Sequence, residues 1–406
     1  MAVTLFDTKQ KCSGCGACMN ACGRNAISME EGEFGYHYPV IDAEKCIECG
    51  ACQKVCGYQN LPEKNCTVAC YGATAKDGEL LSRSASGGVF AVLARGVLDM
   101  GGVVYGAAMP LEEDGFQPRH VRIDSKKELH MLQGSKYVQS NTGKTYSQAR
   151  EDLKAGKRVL YSGTPCQIAG LRKFLGKEYE NLFTAEVICH GVPSARMFRD
   201  FIAVLEEMNG GRITEFIFRS KEKKQTKLAT LRISKENCTK RLIKSGYELS
   251  YLHYFARGAI CRPSCYQCPF ATAERVADIT LGDFWGFHEE YPQEHRLLEG
   301  KGISCILVNT SQGKRAMDSL KDQLTVLDAD PQKIARHNEQ LNSPCQYPQE
   351  RDVILQLYRL GGYRAVEDHF CESCKTKRLR HALVGCIPQS VKRQLKRIKG
   401  QLRSKR

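Results

Sequence analysis

Cys12-Ser-Gly-Cys15-Gly-Ala-Cys18-Met-Asn-Ala-Cys22 and Cys46-Ile-Glu-Cys49-Gly-Ala-Cys52-Gln-Lys-Val-Cys56 are two copies of one spacing, C-x2-C-x2-C-x3-C. Three thiolates two residues apart can wrap the corners of one iron–sulfur cubane from a tight loop, and the fourth lies too far round to join them. In chains carrying two such clusters that fourth cysteine ligates the other one. The spacing therefore assigns Cys12, Cys15, Cys18 and Cys56 to one 4Fe–4S cluster, and Cys46, Cys49, Cys52 and Cys22 to a second. Structural zinc favours paired C-x2-C units with a longer gap between them, and no secretion signal supports disulfides. Gly23 and Gly57 follow the fourth cysteines, where the bacterial run has Pro; that alters the exit turn and leaves the ligands intact.

Around this ferredoxin-type stretch the chain has 406 residues, enough for two to three domains. It carries 21 cysteines, thirteen of them outside the two runs. The start, MAVTLFDTKQ, has no apolar core, and no run of 18 uncharged apolar residues occurs. A reduced, cytoplasmic protein is expected. Net charge is +15, but residues 375–406 hold twelve Lys or Arg and no acid, leaving +3 for the rest. A basic tail without interleaved aromatics argues against nucleic acid as a partner. Val391, Leu395, Ile398 and Leu402 share one helical face there, which suits peripheral contact with anionic lipid at the inner face of the membrane.

A boundary falls near Pro62. Residues 66–74 read as an alternating strand. In Arg83-Ser-Ala-Ser-Gly-Gly-Val-Phe, Ser84 or Ser86 can cap a helix bearing Val89, Phe90, Leu93 and Val97. Two further strand–turn–helix units follow, through Gly163-Thr164-Pro165 and through Cys189-His190-Gly191-Val192-Pro193-Ser194. Three such units predict an α/β core with a mainly parallel sheet, and ligands of such sheets gather at strand carboxyl ends. Residues 213–244 alternate as antiparallel strands with one solvated face. Cys261, Cys265 and Cys268 offer three thiols, one short of a third cluster, with Cys189 favoured over Cys166 as the fourth. Cys305 reads as core. Residues 350–370 read as a helix pair, and Cys371 and Cys374 form a lone C-x2-C. The fold class is α+β: a bacterial-type two-cluster ferredoxin domain, then an α/β core with added antiparallel strands and a helical basic tail. The expected divisions are 1–62, 63–150, 151–330 and 331–406.

With SASGGVF (84–90), QGSKYVQS (133–140), SGTPCQIAGL (162–171), CHGVPS (189–194) and SCYQCPF…DITLGDFWG (264–286) in this order, residues 66–330 resemble the coenzyme F420 hydrogenase/dehydrogenase beta-subunit family. The resemblance implies FAD and one further 4Fe–4S cluster. It places the flavin on Ser86, Gly87, Gly88, Lys136, Tyr137, Gly163, Thr164 and Gln167, and the cluster on Cys261, Cys265, Cys268 and Cys189. Similar ferredoxin-fused members with a basic tail point to a bacterial surface-polysaccharide pathway. The expected route runs from an external ferredoxin or similar protein, through the clusters and FAD, to a small-molecule acceptor, or the reverse. His190 and Lys136 are the candidate groups to orient or protonate that acceptor. The competing expectation is a non-catalytic electron-transfer subunit serving a partner enzyme.

Overall fold

A computed structural model describes residues 4–221, 228–236, 238–246, 248–294 and 302–375. In each cysteine run a left-handed glycine between the second and third cysteines, Gly16 (φ 75) or Gly50 (φ 70), curls the loop into a short helix, Ala17–Ala21 or Ala51–Lys54. Glycine enters that backbone region without a Cβ clash. Between the runs, strands β1 (Ile27–Glu31) and β2 (His37–Ile41) pair as an antiparallel hairpin.

The core is an eight-stranded sheet. Its strands are β3 (Ala69–Ala75), β4 (Val103–Ala108), β7 (Arg119–Ile123), β8 (Val159–Gly163), β9 (Leu182–Val187), β13 (Ile279–Asp283), β14 (Ser304–Val308) and β15 (Leu324–Asp328). Between β4 and β7 runs a small ribbon, β5 (Leu111–Glu112) and β6 (Gly115–Phe116). The sheet order is β15-β3-β14-β13-β9-β8-β4-β7. The pairings β13–β9, β9–β8 and β8–β4 are parallel, and the others are antiparallel. The expectation of a mainly parallel sheet is thus corrected. Helix crossovers such as Thr145–Lys154 and Pro165–Leu175 create the parallel centre. The flanks run antiparallel, because β7 folds back on β4 and β14 enters between β13 and β3. β3 is buried along nearly its whole length instead of alternating, since helices and loops cover both faces.

The helix predicted after Arg83 is Val89–Asp99, and its N-cap is Gly88 at φ 79. Neither serine caps it: Ser84 Oγ donates to Leu80 O and Ser86 Oγ to Ile303 O. Ser194 does cap Ala195–Asn209, accepting from Met197 N. Strands β10 (Arg212–Ile217), β11 (Leu228–Lys235) and β12 (Cys238–Ser245) form the expected antiparallel sheet. Ile213, Phe216, Leu231 and Ile233 bury one of its faces with Phe198 and Phe201. The C-terminal helical stretch Glu350–Ser373 breaks at Gly361–Gly362 and packs Tyr363 against Phe201. Cys371 and Cys374 meet Glu367 and His253 there. Cys305 is core. The expected regions 63–150 and 151–330 contribute to one sheet, and the basic tail lies outside the described residues. Among the described residues no helix is long and apolar enough to cross a membrane.

Candidate functional site

The two cysteine runs fold so that each fourth thiol crosses to the other run. Burial raises the Cys12, Cys15 and Cys18 thiols, and Cys56 adds repulsion to each of the three. Burial also raises Cys52, with Cys49 and Cys22 beside it. Cys56 thus lies near the first run and Cys22 near the second. Buried thiols this close resist ionisation, so thiolates here call for a strongly positive centre between them. Among the described residues no three His, Cys, Asp or Glu side chains close tightly enough on a point to hold a single metal ion.

Gly57 explains the missing Pro. A Cβ there would lie 2.6 Å from the Ala169 carbonyl carbon and oxygen, so the turn leaving the second run presses its backbone onto helix Pro165–Leu175. Cys15 reaches the same helix, with its Sγ 2.8 Å from where a Cβ on Gly170 would sit. Further ties are Tyr58 Oη to Ser264 O (2.8 Å), Gln139 Nε2 to Ser13 O (2.8 Å) and Thr142 Oγ1 to Cys15 O (2.8 Å).

Beneath this contact is a cavity lined by Cys166, Cys189, Cys265 and Cys268, with Ser13, Tyr58 and His190 at its walls. Cys166 opens the helix after β8, Cys189 follows β9, Cys265 lies within the 3-10 turn Pro263–Gln267 and Cys268 ends it. Burial dominates all four thiols. It pushes Cys166 and Cys268 up to about 11 and Cys265 up to about 12, and Cys189 is raised with Cys265, Cys166 and Cys268 as its repelling neighbours. Cys261 is placed differently. Fully buried, it hydrogen-bonds Cys345, which together with burial raises its thiol. Of the expected set, Cys189, Cys265 and Cys268 line the cavity together with Cys166, and Cys261 lies next to Cys265 and the lining Gly191. Cys345, which does line it, carried no sequence signal beyond being a cysteine.

The other expected contacts lie along the same sheet edge, where β3, β8, β9 and β13 end. Gly87 packs on backbone, since a Cβ would sit 2.1 Å from Ala73 O. Thr164 caps its helix, and Gln167 Oε1 accepts from Thr164 N at 3.0 Å while its amide donates to Ser140 O. Gly163 faces Gln167 and His120. Gly163 ends β8, and Ser86 lies in the loop beyond β3, strands that are four spacings apart, about 19 Å.

Between them is a basic, aromatic patch. Lys136 is half-buried with its Nζ on the carbonyls of Met131 (3.0 Å) and Gln133 (2.9 Å), and desolvation pulls its ammonium down to about 7. Lys221 donates to Leu81 O and Ser86 O, and burial lowers it to about 8. Arg219 pairs with Asp283 (2.7 Å) and lies over Trp285, and its buried Nε has no hydrogen-bond partner among the described residues. Tyr137 stacks on Phe255 with ring centroids 4.7 Å apart, and Phe255 meets His190 edge-on at 5.1 Å. His190 Nε2–H donates to Phe255 O at 3.0 Å, and burial lowers its imidazole, so the ring is a neutral hydrogen-bonding group. An aromatic chain thus joins the basic patch to the cysteine cavity.

The family described as coenzyme F420 hydrogenase/dehydrogenase, beta subunit, matches this chain in two parts: its N-terminal profile over residues 70–147 and its C-terminal profile over residues 156–332. A 4Fe–4S dicluster domain matches residues 11–60. No curated protein matches the chain. Among solved structures, a chain from the xenon-derivatised F420-reducing [NiFe] hydrogenase complex of Methanosarcina barkeri is similar at 16% identity and a TM-score of 0.44, covering 74% of this chain and 95% of that one.

Proposed function

Since the chain belongs to the coenzyme F420 hydrogenase/dehydrogenase beta-subunit family, fused to a 4Fe–4S dicluster domain, we propose that it is an iron–sulfur flavoprotein oxidoreductase that exchanges electrons with a redox protein on one side and a small organic acceptor on the other. One observation carries this reading. A single sheet edge holds a cysteine-lined cavity and a basic, aromatic patch side by side, linked through Tyr137, Phe255 and His190.

The cavity fits a third cubane held by Cys166, Cys189, Cys265 and Cys268. The patch fits an anionic dinucleotide such as FAD: Arg219 Nε is an orphaned buried donor, Lys136 and Lys221 are cations held on carbonyls, and Tyr137 and Trp285 are flat faces. Ser86 to Gly163 spans an extended ligand better than a single ring. A flavin, when bound, converts one-electron carriers to two-electron chemistry. Within this frame the protein's own groups have distinct tasks. Thr164 and Gln167 rigidify the turn beside Cys166. Asp283 holds Arg219 toward the patch. Lys136, with an ammonium near neutrality, can give or take a proton there. The donor side is the ferredoxin module, which exposes Cys49.

The test is anaerobic purification of the full chain with iron, sulfide and flavin analysis. The proposal expects about twelve iron atoms and one flavin per chain, with flavin lost in Arg219→Gln. Full iron without flavin in the wild type overturns the oxidoreductase reading and leaves an electron-transfer subunit.

A further inference from the structure

Arg262 is 1% exposed and sits between the two cysteine sites. Its Nε donates to Cys12 O (2.8 Å), its Nη1 to Gln139 Oε1 (3.0 Å) and its Nη2 to His37 O (2.8 Å), and Nη2 lies 3.8 Å from Cys12 Sγ. The guanidinium is 4.3 Å from the Tyr38 ring centroid and 5.6 Å from that of Tyr36. Gly14 leaves it room, for a Cβ there would be 2.8 Å from Nη1. Its charge also acts on Cys166 and Cys265 of the other site.

A buried guanidinium is costly without a counter-charge. Buried Arg275 has Glu186 at 2.5 Å, and Arg219 has Asp283. Arg262 has no carboxylate among its partners in the described residues; its neighbours are carbonyls, an amide, rings and a cysteine sulfur. The anions within its reach are thiolates of the two cysteine groups.

We propose that Arg262 is a positioning residue whose guanidinium is the shared counter-charge of the cluster at Cys12, Cys15, Cys18 and Cys56 and the cluster in the Cys166–Cys268 cavity, raising the reduction potential of both. The proposal rests on reading both thiol groups as cluster ligands. Each added electron makes a cluster more negative, so a fixed cation beside its sulfurs favours the reduced form. Net charge and hydrogen bonds to sulfur are the levers that set cluster potentials. The cluster at Cys22, Cys46, Cys49 and Cys52 lacks this neighbour, and Arg262 thus makes the two inner clusters the easier ones to reduce. Electrons entering through the outer cluster then run inward.

The experiment is a redox titration of the anaerobic holoprotein followed by electron paramagnetic resonance, comparing wild type, Arg262→Gln and Arg262→Lys, each with its iron content. Arg262→Gln is expected to move two cluster signals negative by at least tenfold in their oxidised-to-reduced ratio, about 59 mV for one electron, with the third signal as an unmoved reference. Arg262→Lys keeps the charge and is expected to hold all three within about threefold, roughly 30 mV. Unmoved signals in fully loaded Arg262→Gln overturn the proposal. If the Gln variant does not accumulate, a tenfold shift in Arg262→Lys overturns it equally. Wild-type protein holding no clusters would instead sink the ligand reading beneath it.

Discussion

Replacing Cys166 by Ala should remove one whole cluster, whereas replacing Cys261 should remove none. Cys166 lines the cavity with Cys189, Cys265 and Cys268, and Cys261 is hydrogen-bonded to Cys345. A cubane that loses one of four thiolate ligands has no other anionic group to replace it there, so Cys166→Ala should fall from about twelve iron atoms per chain to about eight. The fold should tolerate the change. Cys166 is half-buried at the start of a helix whose cap is made by Thr164 and Gln167, and the lost sulfur costs roughly 1 kcal/mol of packing. Cys261→Ala empties a core position yet leaves Cys166, Cys189, Cys265 and Cys268 in place, so iron should stay near twelve. Iron and acid-labile sulfide analysis on anaerobically purified variants reads the difference. About twelve iron atoms in Cys166→Ala, with about eight in Cys261→Ala, would refute the assignment and restore the ligand set that the sequence suggests.

Lys136 is lowered by burial from 10.5 to about 7, so between those values the unfolded chain binds the extra proton and stability rises with pH. Wild type should gain about 2–3 kcal/mol over Lys136→Met between pH 7 and 9, read from denaturant midpoints; equal gains would remove the perturbed lysine. Glu186→Gln leaves Arg275 buried opposite a neutral amide, an expected loss of about 3 kcal/mol, visible as an earlier thermal transition. Gly87→Ala drives a methyl group into the backbone of β3 and the start of β14, and a loss of about 3 kcal/mol is expected; a wild-type thermal profile would show that this loop is looser than its contacts indicate.

What the sequence discloses, and what it withholds, divides along the reach of the interaction. The two cysteine runs are legible because a cubane's ligands are spaced within a dozen residues, and the crossed fourth thiol is a geometric consequence of that spacing. The strand–turn–helix units are legible for the same local reason, and Ser194 caps its helix as read. The antiparallel flanks of the sheet are not, because the insertion of β14 between β13 and β3 depends on which strand edges remain open once the parallel centre has formed. That Cys166 and Cys189 share one cavity wall, so that a choice between them as fourth ligand was too narrow a question, lay beyond sequence reasoning for a related cause. Both are cysteines near strand ends, and only the tertiary arrangement brings them to the same cavity. Arg262 shows the limit most plainly. Between Cys261 and Pro263 it looks like any loop residue, and no periodicity marks it. Its meaning comes from what is missing around it, a carboxylate, and from Gly14, 248 positions earlier, which leaves the space it fills. A buried cation with sulfur as its nearest prospective anion ties the N-terminal module to the core by charge as well as by packing, so the two modules should be one electrical unit and not merely one chain.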